Sequence, residues 1–220
     1  MSSTLSEADS KALLSSYLVP FSPEVLATSA EAAADAGEQV GFPVAIKLCG
    51  DGVAHKTERG LVRLGVGNQS NALTAAQELL DAARPEDRAT GVLVSPMISG
   101  IREFIAGANR DPQFGPTVVF GVGGVMTEVL DDAVVRLAPL TSQDAREMVT
   151  GIANRALLEE FRGEPAVDVT AISEILMSLS RLVVERPDVL SVDLNPLIIS
   201  DGRPIAVDAL VELDDQGSAR

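Results

Sequence analysis

The chain has 220 residues, 46% of them hydrophobic and 22% charged, which suits a packed core and excludes a disordered chain. A formal charge of −15 opposes nucleic acid and anionic membranes, and with aromatics at 3% and no tryptophan there is no platform for base stacking. No apolar run reaches the ~20 residues of a membrane span, MSSTLSEADSKALL lacks the marks of a secretory signal, and the single cysteine, Cys49, closes no internal disulfide, so a cytoplasmic location is expected.

Ser6 to Asp9 forms a capping-box pattern that predicts a helix to about Leu18. Thr28 to Glu31 repeats the pattern ahead of an alanine-rich helix ending at Gly41. Residues 43–49 predict a strand, with Val44, Ile46 and Leu48 on one face and Ala45, Lys47 and Cys49 on the other. A polar loop, GDGVAHKTERG, leads to a second strand near 61–66. Ser70 opens a helix to about Ala83, Arg84-Pro85-Glu86-Asp87 breaks it, and 91–97 is strand again. Strands follow near 102–108, 117–120 and 133–138, then a third capping box at Thr141 to Asp144. Asp168 caps an amphipathic helix over 169–186, and strands 190–199 and 204–211 close the fold. The layout is α+β with mixed sheets in two lobes, 1–95 and 96–213, with a frayed tail over 214–220. A cleft between two lobes is a common place for a ligand.

The basic residues are unevenly chosen. Of 17, only Lys11, Lys47 and Lys56 are lysine, and the only histidine, His55, lies between the last two. Lysine serves phosphate as a movable point charge, where arginine offers a planar fork. Lys47 stands inside an otherwise apolar strand, where an unpaired ammonium is costly, so it is expected to face a cleft or an anion. The loop is not a Walker A motif, since no GxxxxGK[ST] occurs and no helix follows it. His55 reads equally as a general base or phosphoryl acceptor and as a residue with no chemical role.

The C-terminal strands permit a geometric argument. Asp201-Gly202 is a preferred type I′ turn, which sets Ser200 opposite Arg203 and, counting outward, Asn195 opposite Asp208. Asp193 shares their face, while Val192, Leu194, Ile205, Val207 and Ala209 form the other. Two carboxylates and an amide oxygen suit Mg²⁺, which prefers hard oxygen ligands. The alternative is an ordinary solvated sheet face. GVGGVMTE at 121–128, with Gly123 and Gly124, offers close backbone approach to an anion or simply a tight turn. Glu103 is a further candidate carboxylate, and Arg102 and Arg136 are weaker candidates for anion contacts.

FPVAIKL at 42–48, AHKTERGLVRLGV at 54–66, IREFIAGANRDPQFGPTVVFGVGG at 101–124, RLAPL at 136–140, FRGEPAVD at 161–168, DLNPLI and AVDA occur in this order. The series resembles the ATP-grasp domain of ADP-forming acyl-CoA synthetases, especially their β subunit, and more distantly that of succinyl-CoA synthetase. The resemblance implies an ATP-grasp fold and the reaction acyl-CoA + ADP + phosphate ⇌ carboxylic acid + CoA + ATP. It implies that a CoA-binding α subunit is needed, since no CoA-binding Rossmann fingerprint occurs here. It also implies that His55 carries phosphate between that partner and ADP, and that Lys47, with Lys56, holds nucleotide phosphates. By the same resemblance, Val94, Ser95 and Met97 meet adenine through the backbone, Glu103, Gly123 and Gly124 line the nucleotide site, and Asn195, Asp208 and Asp193 hold Mg²⁺. Where many relatives read HKSDVGGV, this chain reads HKTERGLV, with Arg59 and Leu61 as departures. A ligase forming an acyl phosphate directly, with His55 only positioning phosphate, and a non-catalytic nucleotide sensor are the competing readings.

Overall fold

A computed structural model describes residues 2–53, 56, 58–124 and 132–214. Strand β1 (Ser2–Thr4) and helix α1 (Glu7–Ser16) open the chain. The protein divides into two compact units, one of Thr4–Asp9 and Ser22–Met97, the other of Met1–Ser3, Ser10–Phe21 and Ile98–Arg220. Residues 10–21 thus join the second unit rather than the first. Their local contacts give the reason: Leu14 is fully buried, Ser10 Oγ accepts a hydrogen bond from Val211 N at 3.2 Å, and Phe21 bridges to Ala206.

In the first unit the elements are β2 (Val25–Ala27), α2 (Ala30–Val40), β3 (Val44–Gly50), β4 (Val62–Val66), α3 (Gln69–Asp81) and β5 (Ala89–Pro96). The strands form an antiparallel sheet in the order β2-β5-β3-β4. Val44, Ile46 and Leu48 face the core with Ala33 and Ala36 of α2 and Ala72, Ala76 and Leu79 of α3. Small alanines let both helices lie close to the sheet. The caps fall beside the expected positions: Ser29, not Thr28, receives Ala32 N, and Asn68, not Ser70, receives Asn71 N. Each is the nearest short polar side chain that is extended at the helix entrance, which is what an N-cap requires. β2 is too short to show a period, and the sequence did not reveal it.

The second unit contains β6 (Arg102–Asp111), β7 (Gly115–Val122), β8 (Ala133–Leu137), α4 (Ser142–Thr150), α5 (Val169–Glu185), β9 (Val189–Ser200), β10 (Arg203–Ala206) and β11 (Leu210–Asp214). Its sheet runs β1-β11-β9-β6-β7-β8, with β10 also on β9. Ile172, Ile175, Leu176, Leu179, Leu182 and Val183 form the buried stripe of α5, a period that follows from the sequence. Phe104 and Phe120 stack in the core at 5.3 Å between centroids. Thr141 and Asp144 make a reciprocal capping box, and Asp168 caps α5 through Ala171 N.

The single strand expected over 204–211 is two strands, β10 and β11, separated at 207–209. β9 is also irregular. Against β6, Phe104 pairs with Leu197 but Ala106 pairs with Leu194, so β9 carries one extra residue there. A bulge of this kind reverses side-chain parity. Val192 and Leu194 are buried before it, and Leu197 and Ile199 after it. The continuous apolar face expected from alternation is therefore corrected: Ile205 and Val207 are only half-buried, and Ala206 lies fully in the core.

Candidate functional site

Lys47 lies in the middle of β3, a strand buried along its whole length. Strand alternation turns its side chain away from the core cluster of Val44, Ile46 and Leu48. The anion it meets is Glu7, whose Oε1 accepts from Lys47 Nζ at 2.8 Å. Lys56 Nζ donates to the other oxygen, Oε2. Glu7 is 4% exposed and Lys47 8%, so this group is built into the protein rather than displayed on it. Ser6 fixes the start of α1 by accepting from Asp9 N and donating to the Asp9 carboxylate at 2.6 Å. That cap places Glu7 in the first helical turn, where a carboxylate also suits the helix dipole. Sequence reasoning missed Glu7 because the capping pattern involves Asp9 and no local pattern marks Glu7, whose lysine partners lie 40 and 49 residues away.

The loop after β3 is tied down at several described positions. Gly52 N donates to Asp87 O at 3.0 Å, and a Cβ at Gly52 would overlap Glu86 O. Arg59 holds Asp87 through two bonds, Nη1 to Oδ1 at 2.6 Å and Nη2 to Oδ2 at 2.9 Å. The Arg59 bond holds the Asp87 carboxyl below the usual carboxylate range, and the same bond raises Arg59. Leu61 is 2% exposed, and its backbone joins Lys56 O to Leu48 N. The two departures from the relatives' pattern thus have evident partners, an ion pair for Arg59 and a core site for Leu61. His55 itself lies outside the described residues.

Val94 is fully buried in the core, flanked on β5 by Val25 and Ile46. Ser95 is 8% exposed opposite Ala45. Met97 is half-exposed, with its N–H bonded to Pro43 O and its sulfur accepting from Gly65 N.

In the second unit Gly123 N donates to Glu103 O at 2.8 Å. A Cβ on Gly124 would come within 2.9 Å of Glu103 Oε2, and φ at Gly124 is +73°. Glu103 and the start of the glycine-rich loop are therefore adjacent, while residues 125–128 of that loop lie outside the described ones. Arg102, expected as a weaker candidate for an anion contact, is turned mainly to the protein itself. Its Nη1 and Nη2 donate to Leu157 O, Glu159 O, Pro165 O and the Glu164 carboxylate, which clamps the 157–165 segment to β6, while its buried Nε has no partner among the described residues. Arg136 is exposed on β8.

At the end of the chain Asp201 and Gly202 have φ of +49° and +76°, as a type I′ turn demands. The pairs Arg203↔Ser200 through Ala206↔Leu197 resume in step at Leu210↔Asp193. Asp208 therefore falls level with Asn195 across the interruption, and Val207 N still reaches Pro196 O at 3.2 Å. Asp193 and Asn195 both face solvent. Although Asp193 is exposed as a residue, protein close to its carboxyl partly desolvates it and pushes its pKa up, and the Asp208 charge adds to the rise. Among the described residues no three His, Cys, Asp or Glu side chains converge as a closed metal cage. Two mutually repelling carboxylates beside an amide do fit Mg²⁺, a hard cation that keeps several ligand positions for water and phosphate.

The ATP-grasp domain family matches residues 1–213. The chain is 35% identical to the acetate–CoA ligase [ADP-forming] I subunit beta of Pyrococcus furiosus, over 93% of this chain and 90% of that protein. It is 37% identical to acetate–CoA ligase [ADP-forming] I of Archaeoglobus fulgidus, over 95% of this chain but only 31% of that longer protein. In structure it is similar to the dinucleotide-forming acetyl-coenzyme A synthetase 1 of Ca. Korarchaeum cryptofilum, solved with coenzyme A, Ca-AMPCP and HgCl⁺. The TM-score is 0.90 at 36% identity, with 96% and 94% of the two chains covered. That synthetase has also been solved with Mg-AMPPCP and a phosphohistidine segment pointing towards its nucleotide binding site, at a TM-score of 0.80, 35% identity and coverage of 94% and 92%.

Proposed function

Since the chain belongs to the ATP-grasp domain family, we propose that it is the nucleotide-binding part of an ADP-forming acyl-CoA synthetase. The observation that carries the reading is the gathering of Lys47 and Lys56, the two ammonium groups that flank His55 in sequence, on one buried carboxylate. Paired cations on a firm base suit the phosphates of ADP and ATP, whose charge they offset without reorganising during the reaction. His55 takes a phosphoryl group from a CoA-binding α partner and passes it to ADP. The P–N bond of phosphohistidine breaks as a P–O bond forms to the terminal oxygen of ADP, and the reverse step loads His55 from ATP.

As the family resemblance implies, Glu103 and the backbone at Gly123 and Gly124 contact the nucleotide, and Ser95 and Met97 meet adenine. Asn195, Asp208 and Asp193 hold Mg²⁺, which offsets phosphate charge when bound. Val94 contributes through its place in the core. Acyl selection belongs to the partner, and a cytoplasmic setting suits the reaction.

The test is incubation with [γ-³²P]ATP and Mg²⁺, both for the chain and for its complex with a CoA-binding α subunit. An acid-labile, base-stable label is expected, lost in His55→Ala and strongly reduced in Asp208→Ala. A complex that forms ATP from acyl-CoA without any such label would favour direct acyl-phosphate chemistry. Nucleotide binding with neither label nor turnover would favour a sensor.

A further inference from the structure

Asp87 is fully buried, and nothing in the proposed chemistry uses it. It is attached to the loop after β3 at two described points, one on each side of His55 in sequence. Its carbonyl accepts from Gly52 N at 3.0 Å. Its carboxylate takes Arg59 in a two-pronged pair, Oδ1 from Nη1 at 2.6 Å and Oδ2 from Nη2 at 2.9 Å. The approach is close: a Cβ on Gly50 would overlap Asp87 O, and one on Gly52 would overlap Glu86 O. Neither glycine stands in the left-handed region, so it is this approach that calls for glycine. The seat is stiff. Pro85 opens a 3₁₀ turn over Pro85–Asp87, Asp87 Oδ2 accepts from Arg84 N at 2.9 Å, and Arg88 closes the turn at φ +45°. Pairing of Lys47 with Val62 already closes the loop within the sheet. A buried ion pair adds a desolvation cost to that closure, which is more than the hairpin needs.

We propose that Asp87 is a positioning residue: by fastening the loop at Gly52 and at Arg59, it sets how fast His55 takes up and gives away its phosphoryl group. The inference rests on the reading of His55 as the phosphoryl carrier. In loading, the unprotonated ring nitrogen attacks the γ-phosphorus, a P–N bond forms, and the electron pair of the broken P–O bond leaves on ADP. That step needs the three atoms in line, and misplacement costs rate rather than binding. A shorter span between fixed points leaves fewer arrangements from which the alignment must be drawn. Arginine suits the task, because its planar fork fixes orientation as well as distance, where a lysine offers only a point charge. Lys47 on β3 and Lys56 on Glu7 each have an attachment independent of Asp87, so nucleotide affinity does not hang on this contact. A pair serving stability alone would move the melting temperature and leave the transfer rate of the folded chain as it was.

The experiment is quench-flow labelling of the full chain with saturating [γ-³²P]ATP and Mg²⁺, beside calorimetric titration with Mg·ADP and a thermal melt. The variants are H55A, R59K, R59Q, D87N and R59Q/D87N. R59Q alone strands a buried carboxylate and weakens the fold, whereas R59Q/D87N replaces the pair by two amides and leaves no buried charge. In R59Q/D87N the labelling rate at saturation is expected to fall about 10-fold, with the Kd for Mg·ADP within about twofold of wild type. Each single variant is expected to match the double in rate, since both residues act through one contact. R59K, which keeps the charge and loses the fork, is expected between the double variant and the wild type. A labelling rate within about twofold of wild type in R59Q/D87N overturns the role. So does an equal loss of rate and affinity, or single losses that add up in the double. Should the double variant melt below the assay temperature, R59K decides, and a wild-type rate there overturns the role. No acid-labile label in the wild type, or a label that survives H55A, refutes the carrier reading and the Asp87 role with it. A label lost in H55A but formed at full rate in R59Q/D87N refutes the Asp87 role alone.

Discussion

Asp193 carries an electrostatic cost that its neighbours do not relieve. Surrounding protein raises its pKa and the Asp208 charge raises it further, so the folded chain holds this proton more tightly than the unfolded chain does. The sign of the linkage follows: stability falls as pH rises from the unfolded carboxylate value of about 3.9 through the raised folded value, and the penalty is complete above it. Asp193→Asn is accordingly expected to be more stable than the wild type at pH 7 in urea denaturation, and equal to it near pH 3. If Mg²⁺ binds here, the ion should stabilise the wild type more than the variant, and Mg²⁺ binding should weaken as pH falls through the raised value. A variant that is less stable at pH 7, or that responds equally to Mg²⁺, would refute this account.

At the scale of the element, the β9–β10 hairpin shows how far local chemistry reaches. Asp-Gly between two apolar runs specified the turn type and the register, and both are found. Gly202 has two reasons to be glycine: its φ of +76°, and an added Cβ that would meet Ala166 O at 2.8 Å. Its own carbonyl accepts from Asp168 N at 2.8 Å, which ties the turn to the cap of α5. Gly202→Ala is therefore expected to cost about 1–2 kcal/mol by urea denaturation. A change under a few tenths would mean the turn is free to shift. The same hairpin also marks where sequence reading stops. The bulge at Asn195–Pro196 and the break at 207–209 arise because β9 must pair with β6 on one edge and with β10 and β11 on the other. No two-residue period contains that requirement. Caps behave similarly: Thr141 and Asp168 were legible, while Ser29 and Asn68 each won over a close competitor through backbone conformation alone.

For the whole molecule, the charge of −15 and the paired lysines act at different ranges. Beyond a Debye length only the net field matters, and it opposes an anionic nucleotide. Raising ionic strength from 10 to 150 mM shortens that length from about 30 to about 8 Å. The association rate of Mg·ADP in stopped flow is thus expected to increase over this range, whereas dissociation also quickens as the lysine contacts are screened. A falling association rate would mean that the local cations steer the approach despite the net charge.

The sequence by itself determined what short-range chemistry controls: the alternating strands, the main helices, the Asp-Gly register that levels Asn195 with Asp208, and the concentration of lysine around His55. Only the tertiary structure decided that Glu7 bridges those lysines, that Arg59 locks onto Asp87, and that Arg102 donates to the backbone carbonyls of the 157–165 segment. The reason is physical. A buried charge takes whichever partner the fold brings to it, from tens of residues away, and no local period or propensity records that choice.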